Sequence, residues 1–247
     1  MPKPTDDLRN STMNNKFLAL LLAAATPLAA WADRPISTDD AGAVETGTCT
    51  LESWFEHGSS ERALHLGSAC GIASQMDFGG DISLPRQRDV LRSSASLAFK
   101  WVPDALKVET VAGALAFGVK LGTAFERPAD QSWRASQYGA LALATLLPSD
   151  DWALHANLGA ARDRASGSNA GMLNLAVVWT PREDALLFAE TMANSRSAVF
   201  GGTVNTAGGR WWVVKERFGL DLTASRENGF GNGTSWTIGF GWYGLTF

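Results

Sequence analysis

Residues 91–101, Leu91-Arg92-Ser93-Ser94-Ala95-Ser96-Leu97-Ala98-Phe99-Lys100-Trp101, alternate between oily and polar side chains. Leu91, Ala95, Leu97, Phe99 and Trp101 fall on one side of a two-residue repeat, and Arg92, Ser94, Ser96 and Lys100 fall on the other. Successive side chains of a β-strand point to opposite faces, so the segment reads as a strand with one apolar and one polar face. The pattern returns along the chain. Leu173, Leu175, Val177 and Trp179 are set against Asn174, and Leu154 and Leu158 against His155 and Asn157. Phe218, Leu220 and Leu222 are set against Asp221, Thr223 and Ser225. No stripe of period 3.6 competes, so the reading is all-β.

Alternation fits a soluble sandwich as well as a membrane barrel. Three features favour the barrel. The polar face is rich in Ala and Gly (Ala112, Ala114, Ala116, Gly118; Gly239, Gly241), where a solvated sandwich face would carry Lys, Glu and Thr. The chain has 10 Trp, and Trp101, Trp133, Trp152, Trp179, Trp211 and Trp242 lie toward strand ends, as in the aromatic girdles of a barrel. The connections also sort by length. Strands are expected at 46–57, 61–73, 75–84, 88–101, 107–120, 134–147, 151–162, 170–180, 184–194, 206–216, 218–226 and 234–247. That pattern makes a transmembrane, antiparallel up-and-down β-barrel of about 12 strands, and the even count puts both ends in the periplasm. Tight turns then fall at Pro103-Asp104, Pro148-Ser149-Asp150, Pro181-Arg182-Glu183 and Lys215-Glu216-Arg217. Longer loops fall at 121–133, 163–169, 195–205 and 227–233, with the short first hairpin at Ser59-Ser60 as the exception.

The N-terminus reads as an export signal. Lys16 is followed by the apolar run Phe17 to Ala25, a helix break at Pro27 and the small-x-small site Ala30-Trp31-Ala32. Residues 1–32 are therefore a signal peptide, with Met13 the better initiator because Asp6 and Asp7 suit a positive leader poorly. Residues 33–45 precede the barrel as a periplasmic or lumenal segment, and 46–247 form the barrel. Mean hydropathy is −0.05, and the one apolar run comparable to a membrane helix is this leader. Taking Lys3, Arg9 and Lys16 from the 21 basic residues, and Asp6 and Asp7 from the 25 acidic ones, leaves the mature chain acidic. Such a balance does not favour nucleic acid as a partner.

Cys49 and Cys70 are the only cysteines. A first hairpin turning at Ser59-Ser60 sets them directly opposite, along with Leu51 and Ser68, Ser53 and Leu66, Phe55 and Leu64, Glu52 and Gly67, and Trp54 and His65. An exported chain folds in an oxidising compartment, so a structural cross-strand disulfide is expected. Neither zinc-site nor CxxC spacing is present.

Both ends of the mature chain resemble a known family. Arg34-Pro35-Ile36-Ser37-Thr38-Asp39-Asp40-Ala41-Gly42 and the following Gly47-Thr48-Cys49-Thr50-Leu51-Glu52-Ser53-Trp54 are similar to the start of a proteobacterial family of outer-membrane porins named for the meta-pathway of phenol degradation. Leu187-Phe188-Ala189-Glu190, Arg210-Trp211-Trp212, Glu216 to Thr223 and Gly239 to Leu245 resemble its closing strands. The resemblance covers about half of the mature chain. It implies a barrel and transport, and it implies no catalytic residue. Tyr243, Leu245 and Phe247 alternate up to an aromatic C-terminus, which resembles the signal read by the barrel-insertion machinery.

The search for enzyme chemistry returns nothing organised. His155 and Asn157 share a face, but a lipase site also needs a serine paired to the histidine on the lipid side. The 3 histidines, His57, His65 and His155, are too scattered for a metal site. Asp39-Asp40 and Asp150-Asp151 lack the alternating ligands of a calcium loop and read as solvated or capping pairs. No metal, cofactor or catalytic residue is expected. What remains is a polar lumen face carrying Glu52, Glu56, His65, Arg92, Lys100, Glu109, Lys120, Gln137, His155, Asn157, Asn174, Glu190, Arg210 and Asp221. These residues either line a passive channel for small solutes or fill a closed scaffold barrel with paired charges. The expected setting is the outer membrane of a Gram-negative bacterium, with membrane lipid, the insertion machinery and small solutes as partners.

Overall fold

The computed structural model describes residues 35–58, 62–85, 93–128, 131–229 and 232–247. The leader 1–32, Met13, Ser59-Ser60, Leu91 and the lumen candidate Arg92 lie outside the described residues. Among the described residues thirteen strands run β1 Thr48–Gly58, β2 Arg62–Ala73, β3 Met76–Pro85, β4 Ser93–Trp101, β5 Lys107–Thr110, β6 Gly113–Arg127, β7 Arg134–Ser149, β8 Trp152–Asp163, β9 Asn169–Arg182, β10 Ala185–Asn194, β11 Thr203–Val214, β12 Phe218–Asn228 and β13 Thr234–Thr246. Each long strand pairs antiparallel with its neighbours, β1 pairs with β13, and β4 pairs with β6 past the four-residue β5. The result is a closed 12-strand barrel with no free edge, so every long strand has a partner on both sides.

Burial is inverted relative to a soluble protein. Leu158 and Leu222 are 66% and 62% exposed, while Asn157 and Thr223, one residue away on the opposite face, are 0% and 2% exposed. Leu64, Leu66, Phe78, Leu97, Leu121, Leu173, Leu187, Leu220 and Ile238 join them on an apolar outer wall. Contiguous apolar surface of this extent needs an apolar surrounding, because each large side chain moved out of water contributes about 1.5–3 kcal/mol.

The first hairpin pairs Cys49 with Cys70, Leu51 with Ser68, Glu52 with Gly67 and Trp54 with His65, and a disulfide joins the two cysteines. One end of the barrel holds Thr48 and Phe247 and the short connections 74–75, 150–151, 183–184 and 215–217. The other end carries 164–168 and 195–202, together with Pro128, 131–133, Gly229 and 232–233.

Two expectations need correction. The strand expected at 107–120 is two strands, with the chain reversing at Val111-Ala112 between β5 and β6. Gly113 takes a φ of 118°, and Thr110 caps the reversal by accepting from the Ala112 N–H and donating to the Gly113 carbonyl. Val-Ala carries none of the usual hairpin chemistry, so period-two reading ran straight through the turn. The tight turn expected at Pro103-Asp104 is accordingly a connection over 102–112, and β6 extends to Arg127 through the expected loop. At the other closing strand, Tyr243 and Leu245 do not share a face. Tyr243 keeps the lumen face of Gly239 and Gly241, and a bulge opposite Thr50, with Gly244 at a φ of 65°, turns Leu245 to the outer face.

Candidate functional site

The lumen is lined by the polar half of each strand. In register, Thr50, Glu52, Trp54 and Glu56 of β1 face His65 and Gly67 of β2, Asp77 and Asp81 of β3, Ser96 and Lys100 of β4, and Lys120 and Glu126 of β6. The far wall adds Gln137, His155, Asn157, Asn174, Glu190, Thr206, Arg210, Asp221 and Thr237.

Residues 35–47 lie inside, bonded to inward-facing side chains of six strands. Glu190 accepts from the Ser37 N–H at 2.9 Å and from the Thr38 N–H and hydroxyl at 2.8 and 3.0 Å. Lys120 Nζ donates to both Asp39 carboxylate oxygens at 2.8 and 2.9 Å. Asn157 clamps the Asp39 backbone, accepting from its N–H at 2.9 Å and donating to its carbonyl at 2.8 Å. The Thr145 hydroxyl accepts from the Ala41 N–H at 2.7 Å, Asp77 accepts from the Val44 N–H at 3.0 Å, and Lys100 reaches Asp40 at 3.3 Å and Asp77 at 3.8 Å. Gly71 lets the backbone at Val44-Glu45 lie against β2, where a Cβ would overlap both carbonyl oxygens. Asp39 is thus buried and ion-paired, which corrects the reading of Asp39-Asp40 as a solvated or capping pair.

A second cluster sits where the first and last strands meet. Arg210 makes a bidentate pair with Asp221 at 2.6 and 2.7 Å, and its Nη2 lies 3.6 Å from Glu52. Its guanidinium stands 4.7 Å from the Tyr243 ring and 5.0 Å from the Trp212 ring, and the Tyr243 hydroxyl donates to Glu52. All four strands β1, β11, β12 and β13 contribute, and Gly219 leaves the space that Arg210 fills. Buried charges are tolerated only when partnered in this way.

Apolar groups narrow the same space. Leu141 and Leu143 of β7 point inward and pack with Val102 of the 102–112 connection and Ala41 of the N-terminal segment. Toward the loop end, the helical turn Ser197–Phe200 puts Phe200 against Ala161 and Ala170.

Of the residues expected in the lumen, Glu52, Lys100, Lys120, Gln137, Asn157, Asn174, Glu190, Arg210 and Asp221 are buried. His65 stacks on Trp54 with ring centroids 4.6 Å apart and lies 3.4 Å from Glu56. Glu109 pairs with Ala114 and so shares the lumen-side face, but the reversal at Val111-Ala112 places it on the exposed strand β5 rather than in the enclosed lumen. Asp77, Asp81, Glu126, Asp163, Thr145 and Tyr243 were not singled out, although strand parity would have found all of them.

His155 Nδ1 lies 2.9 Å from the Thr145 hydroxyl on the lumen side. Among the described residues no hydrogen bond joins a serine hydroxyl to a histidine ring, and no cluster of His, Cys, Asp and Glu could hold a metal ion.

A closed barrel with an apolar wall and a charged interior has the fold of the outer-membrane barrels, and solved structures of that class match it. KdgM porin, in complex with disordered oligogalacturonate, is 10% identical with a TM-score of 0.59 over 78% of this chain and 98% of that one. The COG4313 outer membrane channel from Pseudomonas putida F1 is 9% identical with a TM-score of 0.53, over 86% of this chain and 99% of that one. Outer membrane phospholipase A from Escherichia coli is 11% identical with a TM-score of 0.51, over 83% of this chain and 93% of that one. At these identities the likeness is one of fold, and channels and an enzyme share it.

The chain belongs to the family described as "Uncharacterised conserved protein UCP029691", whose profile matches residues 18–241. That description carries no phenol-degradation label, so the resemblance of the termini stands only for a porin-like barrel. No curated protein matches the chain.

Proposed function

We propose that the protein is a Gram-negative outer-membrane channel for small solutes, non-enzymatic, and held shut by its own residues 35–47. Its partners are membrane lipid around the apolar wall, the barrel-insertion machinery during assembly, and the solute. The loop end faces the exterior and the turn end the periplasm, in keeping with short periplasmic turns and longer external loops.

One observation carries this reading: the segment that fills the lumen is held by separate polar contacts rather than by being a strand of the wall. Glu190, Asn157, Lys120, Thr145 and Asp77 each bond it through a side chain. Polar contacts of this kind can be replaced one by one by water or solute when the lumen hydrates. A scaffold that needed only to be closed would gain more from apolar filling, since buried ion pairs contribute little net stability.

The test compares the full mature chain with a variant lacking residues 33–44 in a planar bilayer. The deletion variant is expected to give larger and longer-lived conductance steps. Absence of conductance in both, under conditions where a control porin conducts, would overturn the channel and leave the scaffold reading.

A further inference from the structure

The loop end of the outer wall carries arginines without acidic company. Arg62, Arg127, Arg162 and Arg226 all point outward and are exposed, and no described outward-facing strand residue at that end is acidic. The turn end is built differently, for there Arg182 pairs with Asp184 at 2.9 Å and Lys215 with Glu183 at 2.7 Å. Arg127 and Arg162 reach only neutral oxygens, of Gln131 and Asn169. Arg62 and Arg226 form no ion pair with any described residue.

Around Arg62 and Arg226 the register lays out one continuous row. Arg62 pairs with His57, His57 with Trp236, Trp236 with Ala224, Ala224 with Ala207, and Ala207 with Ala189. The His57 and Trp236 rings are 5.4 Å apart. Three small alanines beside a Trp make a trough in the outer wall. A groove does open here, lined by His57, Asn205, Ala207, Ala224, Arg226 and Trp236. Arg226 lies two residues beyond Ala224, about 7 Å nearer the rim, and three strand spacings separate it from Arg62, roughly 14 Å.

We propose that this surface binds a phosphorylated glycolipid of the outer leaflet. Arg62 and Arg226 take its phosphates, the Trp236 and His57 rings lie against its sugar, and an acyl chain runs down the alanine trough. Guanidinium forks match phosphate oxygens in two-bond geometry, and an aromatic face between two such forks matches a sugar that carries phosphate on both sides. The apolar trough below the cations excludes a free phosphate as the natural occupant. The inference rests on the placement of the loop end at the outer leaflet proposed above.

Native mass spectrometry of the refolded mature chain in detergent tests it, with lipid A, monophosphoryl lipid A and phosphatidylglycerol as probes. Lipid A is expected to bind best. The double substitution Arg62→Ala with Arg226→Ala should weaken it on the order of tenfold or more, since each removes a charge-assisted bond. The Arg62→Lys with Arg226→Lys pair should restore part of the affinity, and Lys215→Ala at the opposite rim should leave it unchanged. A heat-modifiable band confirms that each variant is folded. Unchanged lipid A binding by the folded double variant would overturn the site, and equal binding of phosphatidylglycerol would overturn the glycolipid. Failure of the chain to insert into bilayers would sink the membrane placement instead, whatever binds in detergent.

Discussion

Gly71 sets how closely the N-terminal segment approaches the wall. A methyl group there would overlap the carbonyl oxygens of Val44 and Glu45, which are backbone and cannot swing aside. Gly71→Ala is therefore expected to lift residues 44–47 off β2, seen as faster protease cleavage within 35–47 and as raised bilayer conductance. Unchanged cleavage would mean that the segment tolerates the displacement. Arg210 holds a different kind of position, since its removal leaves Asp221 and Glu52 buried without a cation. Arg210→Ala should lower the unfolding free energy by about 3–5 kcal/mol, read from urea titration followed by the heat-modifiable band. Lys215→Ala is the control. Lys215 holds the Glu183 carboxyl below its ordinary range through an ion pair, but that pair is fully exposed, so its loss should leave the urea midpoint where it was.

Single strands and hairpins obey the period-two pattern closely. The Cys49–Cys70 register was legible because pairing in a hairpin follows from one turn position, and both faces had to come out chemically coherent. Replacing both cysteines by serine should cost about 2–4 kcal/mol at most, measured as a lower urea midpoint that reductant produces equally in the parent chain. If reductant leaves the parent midpoint unchanged, the bridge adds nothing to hairpin stability. The β5–β6 reversal escaped the same reasoning. Val111-Ala112 has no Asn, Asp or Pro, and the alternation continues through it in phase, so only the positive φ of Gly113 marks the turn. Leu245 escaped for a related reason, since one extra residue at a bulge changes the face of everything after it.

For the molecule as a whole, the charge balance of the lumen sets what an opened channel would prefer. Glu52, Glu56, Asp77, Asp81, Glu126, Asp163, Glu190, Asp221 and Glu227 face inward against Lys100, Lys120, Arg134 and Arg210. Once residues 33–44 are deleted, the lumen is expected to favour cations, shown by the sign of the reversal potential in a potassium chloride gradient. A reversal potential near zero or of the opposite sign would place the narrowest passage at Lys100 and Lys120 instead.

The faces of the strands, the closed all-β fold and the first hairpin's register could all be read along the chain. Each depends on residues two apart or on one local turn, where side-chain direction simply alternates. The placement of the N-terminal segment was a different matter. Asp39 meets Lys120 across 81 positions and Thr38 meets Glu190 across 152. Such contacts arise only after strands far apart in sequence have closed into one ring, and the ring's curvature selects which buried charge finds a partner. The same closure turned Asp39 from an apparent solvated pair member into the anchor of the lumen.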